Sequence, residues 1–335
     1  MPMDLPTIWF VIIAFLFAGF FFLEGFDYGA GMWLLLLSKK EGTKQEILNA
    51  IGGVWDGNEV WMITAGAALF AAFPHWYATL FSGFYLPLLL MLLALILRGT
   101  GLKFRGHGKS DAWRWAWDGM IFIGSLVPAF LWGVVVGNLL RGIPINEQMH
   151  YAGSLRDLVS PYCLMAGFLF TCLFLLHGAV FLNLKVSNEV LSALRSRLTG
   201  VYLLTVGVAI AFLVWSAVEV RLFDILAVRL FVADAVAALL ICGLALYKRP
   251  GLAFLMTGLT IILLGASVFM YLYPRVMISS LDPAWDLTVW NASSSAYSLE
   301  ISSIIALTFI PLVLIYQGWT YWVLRQRVSR NVSDY

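Results

Sequence analysis

A chain of 335 residues that is 61% hydrophobic and only 12% charged has too little polar surface to clothe a water-soluble globule of that size. This excludes a soluble enzyme or a nucleic-acid-binding domain and makes the lipid bilayer the solvent for most side chains. The net charge of +2 says little; the sidedness of the basic residues says more.

Nine apolar stretches are long enough to cross a hydrocarbon core, which takes roughly 17 to 25 residues each. In chain order they lie near 8–37, 54–73, 76–97, 117–140, 160–184, 198–219, 225–247, 251–273 and 302–324. A segment in lipid must satisfy its own backbone hydrogen bonds, and the alternating pattern of a barrel strand is absent, so all nine are expected to be helices. The expected fold is an all-α polytopic membrane protein forming a single membrane domain over 1–335. The segment before the first stretch carries an acid and no base, and the stretch is too long for a signal sequence, so it is expected to remain as a span. With an odd number of spans the termini lie on opposite sides. Placing the N-terminus outside and the C-terminus inside puts sixteen of the 21 Lys and Arg residues on the inner side, among them Lys39, Lys40, Lys44, Lys109 and Arg330. Aromatics such as Trp76, Trp113 and Tyr321 mark helix ends as interfacial belts. Cys163, Cys172 and Cys242 fall inside spans without metal-ligand spacing and read as small packing residues. Leu23-Glu24-Gly25 of the first span has an echo in Leu176-His177-Gly178 of the fifth, a thin trace of a duplicated four-helix bundle. The sequon at Asn331 falls on the inner side and carries no weight.

Ionisable residues inside spans cost several kcal/mol when unpaired, so they are the strongest functional signal in such a chain. Glu24 and Asp27 lie one turn apart on the first span; Asp56 and Glu59 lie one turn apart on the second. The first helix runs inward and the second outward, so all four are expected to meet in the inner third of the bilayer, near a basic loop. That arrangement resembles a path for protons from the cytoplasm. Gly25, Gly29, Gly53 and Gly57 have GxxxG spacing on the same helices and are expected to let the two backbones approach. Arg98, at the inner end of the third span, is a candidate counter-ion, with snorkelling to the interface as the alternative. Of the four histidines only His177 is at membrane depth, which argues against a multi-haem core in this chain. A hydrogen-bonded packing role suits His177 better than haem ligation, with a place in a proton relay left open. Asp234, near the middle of the seventh span, is expected to be a further buried acid, with no role assigned. No phosphate loop, nucleophile elbow or metal-ligand cluster is evident.

The segments LEGFDYGAGM (23–32), WDGNEVWMITAGAALFAAFP (55–74), LFSGFYLPLLL (80–90), WDGMIFIGSLVPAFLWGVVVGNLLRG (117–142) and SLDPAWDLTVWNASSS (280–295) resemble subunit II of bacterial cytochrome bd quinol oxidases. The resemblance implies nine spans arranged as two four-helix bundles plus one peripheral helix. It also implies a haem-bearing partner, subunit I, carrying two b-type haems and one d-type haem, while subunit II carries none. The complex oxidises quinol and reduces oxygen to water with protons drawn from the cytoplasm. By this resemblance Asp56 and Trp61 belong to the proton path toward the haems. Some members have Asp where this chain has Glu24, some hold a quinone in subunit II, and a small single-span third subunit remains open. A bound quinone or lipid is therefore an expectation without assigned residues. The linker at about 220–224 is shorter than in some members.

Two other readings compete with an oxidase subunit in the bacterial cytoplasmic membrane. A proton-coupled secondary transporter also needs intramembrane acids, but it requires a midplane substrate site that is not evident. A purely structural partner would use its acids for packing alone.

Overall fold

The computed structural model describes residues 4–37, 40–108 and 110–327. Lys39, Lys109, Arg330 and Asn331 fall outside them. Eleven α-helices follow in chain order: α1 (Leu5–Leu37), α2 (Glu41–Gly52), α3 (Trp55–Ala72), α4 (Pro74–Gly83), α5 (Tyr85–Phe104), α6 (Asp111–Arg141), α7 (Pro161–Lys185), α8 (Asn188–Glu219), α9 (Leu226–Ala245), α10 (Pro250–Leu272) and α11 (Ala296–Val323). A two-stranded antiparallel ribbon, β1 (Arg275–Met277) with β2 (Leu287–Thr288), is the only sheet among the described residues. Eight of the helices are long and apolar enough to cross a membrane: α1 and α5 to α11 without exception.

Several expected boundaries move, each for a local reason. The expected second span coincides with α3, but α3 opens on Trp-Asp-Gly-Asn-Glu, and this polar start keeps it out of the eight. The expected third span is two helices, α4 and α5, with Phe84 between them at φ −95° and ψ 21°. Helix α2 is wholly unanticipated, since its twelve residues are too short and polar to register as a span. It is amphipathic, burying Ile47, Ala50 and Ile51. Helices α6 and α8 begin six and ten residues earlier than expected because polar turns extend them beyond the apolar run.

Side-chain caps fix several starts: Ser110 accepts from the Trp113 N–H at 3.2 Å, and Ser160 accepts from the Cys163 N–H at 3.1 Å ahead of Pro161. Helix α6 stops at Gly142, whose φ of +89° favours a residue without Cβ.

Successive long helices alternate in direction, and cross-links identify the two ends. At one end Ser294 donates to the carbonyls of Ala71 and Ala72, and Trp290 donates to Asp4 at 2.7 Å. Arg141 also pairs there with Glu219 at 3.3 Å. This end carries the ribbon and the long loops. At the other, basic end, Arg197 donates to the Leu36 and Leu37 carbonyls that close α1, both at 2.6 Å. Lys185 donates to the Leu324 carbonyl that follows α11, and Glu46 of α2 accepts from Ser187 N and Oγ, each at 3.0 Å.

Helix α1 is the axis, packed against α7, α6, α3 and α10. Its expected glycine contact with the second span is corrected: Gly25 and Gly29 face α7. A Cβ on Gly29 would sit 2.0 Å from the Phe174 carbonyl oxygen and 2.7 Å from the Gly178 Cα. Gly53 and Gly57 face α11, near Leu324 and Gln317. The close approach of α3 to α1 is made instead by Trp61, whose ring lies over Gly19. Small residues thus do serve a helix crossing, but the partner is a helix distant in sequence.

Candidate functional site

Three of the four expected acids come together around Arg98. Glu24 and Arg98 are both fully buried and form an ion pair. Glu59, half-buried at the start of α3, brings its carboxylate to 3.9 Å from the same guanidinium. Asp27, also fully buried, accepts at Oδ2 from the Asn58 amide at 2.6 Å. The guanidinium lies 4.8 Å from the ring centroid of Tyr28, a cation–π distance. Arg98 can reach this point because α5 and α6 pack closely: a Cβ on Gly124 would meet the Ala94 carbonyl and the Arg98 backbone. The guanidinium is thus turned into the bundle and does not snorkel.

Asp56 does not join this group. It is exposed in the first turn of α3, and its carboxylate accepts from the Gly57 N–H at 2.9 Å. The expectation that Asp56 and Glu59 share one buried face is corrected. A three-residue step leaves about 60° between side chains, and Asn58 and Trp61 occupy the inward direction. Trp61 is buried against Phe15 and Gly19, with the indole N–H unpaired.

His177 stands apart. Its Nδ1 lies 2.8 Å from Thr257 Oγ1, its Nε2 3.1 Å from the Phe22 carbonyl, and its ring stacks on Phe254 at 4.8 Å. Both nitrogens are engaged and one face is covered, so the site does not fit an axial haem ligand. Neither bond reaches the acid cluster. Asp234 is corrected as well: it is exposed on the outward face of α9, whose packing is directed to α10. The cysteines are buried and free.

Two groups of residues were missed by the sequence reading. The first is neutral: Asn58 Oδ1 accepts from Tyr321 OH at 2.7 Å and from Gln317 Nε2 at 3.0 Å, linking α11 to Asp27. The second is a set of ion pairs at the basic end. Asp118 of α6 accepts from Lys44 Nζ at 2.7 Å and from Arg105 Nε at 2.5 Å, while Arg105 also forks onto Glu41 at 2.7 and 2.9 Å. This clip fastens α2 to α6 and to the turn after α5. The Arg105 hydrogen bonds hold the Glu41 carboxyl below the ordinary Glu range. The available signal was Asp118 itself, an acid just inside the expected fourth span.

Toward the end that carries the loops, an apolar cavity of about 610 Å³ opens between α1, α3, α4, α5, α6 and α10, with Phe17, Met62, Trp76, Leu88, Trp132 and Phe269 among its walls.

An antiparallel set of membrane-length helices enclosing a carboxylate–guanidinium cluster defines an integral membrane protein with ionisable groups held inside its bundle. Comparison with known proteins specifies which kind. The model of the family "Cytochrome bd terminal oxidase subunit II" matches residues 5–324. A cytochrome bd ubiquinol oxidase subunit 2 from Bacillus subtilis is 40% identical over 334 residues, covering 98% of each chain. A cytochrome bd-I ubiquinol oxidase subunit 2 from Escherichia coli K12 is 32% identical over 365 residues, covering 98% of this chain and 96% of the relative. A bd oxidase structure from Geobacillus thermodenitrificans has the same fold, with a TM-score of 0.74 at 16% identity over 96% of this chain and 99% of that one. The chain belongs to the cytochrome bd terminal oxidase subunit II family. It is a multi-pass subunit of a membrane-bound oxidoreductase complex.

Proposed function

We propose that this chain is the haem-free second subunit of a quinol:oxygen oxidoreductase of the bacterial cytoplasmic membrane, and that its buried acids pass protons from the cytoplasm toward a haem-bearing subunit I. The observation that carries the reading is the Glu24–Arg98–Glu59 group with Asp27 beside it. One guanidinium serves the two carboxyls of Glu24 and Glu59 there, with a third carboxyl on Asp27 held by Asn58, so the group has room for exchangeable protons where a simple ion pair would have none.

In this reading the chain is one membrane domain over 1–335. It has nine spans, α3 being the one added to the eight apolar helices, with the N-terminus outside and the C-terminus inside. Two four-helix bundles with α11 at the periphery are the proposed layout, and the burial of Leu299 alone among the residues of α11 supports that place. The basic end then faces the cytoplasm. Exposed Asp56 receives protons at that end, Glu59 and Glu24 exchange them across Arg98, and Asp27 is the next carboxyl along α1. Trp61 walls the route off from lipid. Subunit I would hold two b-type haems and one d-type haem, which would carry electrons from quinol to the oxygen being reduced to water; in this chain His177, with both ring nitrogens engaged, does not suit haem iron. The apolar cavity suits an isoprenoid quinone tail or a lipid chain. His177 serves as packing in this account, since its partners lie off the route.

A visible spectrum of the complex purified through this chain tests the assignment: haem absorption is expected, and its absence would end it. The path is tested with Asp56→Asn, which is expected to slow oxygen reduction at normal haem content. Wild-type turnover would leave the chain a scaffold, and loss of haem would assign Asp56 to assembly.

A further inference from the structure

Helix α11 contributes almost nothing to the apolar core; Leu299, near its first turn, is its one buried residue. Near its other end, however, it sends Gln317 and Tyr321 to the same atom, Oδ1 of Asn58. A carboxamide has one accepting and one donating end. With two donors on Oδ1, rotation of the amide by half a turn would set N–H groups against the Gln317 amide and leave Tyr321 to reverse its role. The amide is thereby held with Nδ2 toward Asp27, where it donates to Oδ2 at 2.6 Å. A proton on Asp27 Oδ2 would then meet an N–H group head-on. The other oxygen, Oδ1, is buried without a hydrogen-bond partner, as are Glu24 Oε2, Tyr28 OH and Arg98 Nε and Nη2.

We infer that Gln317 and Tyr321 are positioning residues that act through Asn58 to confine the exchangeable proton of Asp27 to Oδ1. The last helix, peripheral by packing, thus sets the direction in which Asp27 gives and takes a proton. This rests on the proposed path through Asp27. The two donors back each other: a lone Tyr321 hydroxyl can turn to accept and a lone Gln317 amide can turn about, so each holds the amide only in part, and loss of both frees it fully to turn its oxygen toward Asp27. A turned amide accepts a hydrogen bond from protonated Asp27 and so fixes the proton on the wrong oxygen.

The test uses the purified oxidase complex carrying Gln317→Met, Tyr321→Phe or both, with oxygen consumption, haem content and the infrared C=O stretch of protonated carboxyls as readouts; Asp27→Asn identifies the Asp27 band by removing it. Each single variant is expected within about twofold of wild-type turnover and the double variant about tenfold slower, the scale of one hydrogen bond. In the double variant the Asp27 band shifts while haem content holds. Asn58→Asp gives a second view that preserves side-chain size, since it keeps the acceptor facing α11 and removes the donor facing Asp27; it is expected to slow turnover and move the same band. An unshifted band in both the double variant and Asn58→Asp would overturn the inference, whatever their rates. A slow Asp27→Asn beside a wild-type double variant would overturn positioning alone, whereas a wild-type Asp27→Asn would remove the path itself.

Discussion

Arg98 decides whether the buried acids are tolerable at all. It pairs with Glu24 from α1 and lies within 3.9 Å of Glu59 from α3. Removing it strands a carboxylate in the bundle, at a cost of about 3 to 5 kcal/mol for breaking a buried pair from one side. Arg98→Leu is therefore expected to lower the thermal midpoint and yield of the complex, and Arg98→Lys to restore little, because an ammonium has no planar guanidinium to place beside the Tyr28 ring. Thermal unfolding of the purified variants checks this. A second residue-scale prediction concerns the clip at the basic end. The folded-state Glu41 carboxyl lies below its ordinary value of 4.5, so its contribution to stability is present in full above that value. The contribution is lost as pH falls through the lowered folded value. Wild type should then lose more stability than Glu41→Gln on acidification below about pH 4.5, measured as the difference in unfolding midpoint across that window. At this scale the charged members Glu24, Asp27, Glu59 and Arg98 were legible in the sequence, since a charge inside an apolar run declares itself. Asn58, Gln317 and Tyr321 were not, because neutral polar side chains carry no such mark and their meeting spans more than 250 residues.

Among elements, α1 and α7 cross where two glycines face each other. A methyl group on Gly29 would lie 2.0 Å from the Phe174 carbonyl oxygen, and one on Gly178 would lie 2.4 Å from the Gly29 backbone. Neither neighbour is a side-chain tip that can move aside. Gly29→Ala and Gly178→Ala should each destabilise the complex by about 1 to 3 kcal/mol or more, visible as reduced yield and a lower unfolding midpoint. Gly66→Ala in α3, where nothing lies within 4 Å, should leave both unchanged. The glycine spacing was readable in the sequence, but the identity of the partner helix was not: periodicity describes a face and leaves open what lies opposite. Helix α2 escaped for a related reason. Its stability comes from Ile47 and Ile51 packing inward and from Lys44 and Glu46 reaching Asp118 and Ser187, and none of these contacts is local.

For the whole molecule, apolar length alone located the long helices, because the bilayer leaves the chain few alternatives. The breaks that length cannot show, at Phe84 between α4 and α5 and at the polar start of α3, lie at the two elements that bring Glu59 and Arg98 to Glu24. Only the polar start of α3 lies at the site itself; Phe84 stands fourteen residues before Arg98, at the opposite end of α5. The apolar cavity lies between this polar group and the loops at the other end of the bundle, so in the proposed account protons enter the group from the basic end. Glu59→Gln probes it with least disturbance, since Glu59 is half-buried and Arg98 retains Glu24 as its partner. The measurement is single-turnover proton uptake by the complex in lipid vesicles after a pulse of oxygen, read with a pH indicator alongside the haem spectrum. The account predicts an unchanged spectrum with uptake slowed by about a hundredfold, the lower range for loss of a positioned acid–base group. Wild-type uptake in Glu59→Gln would contradict it.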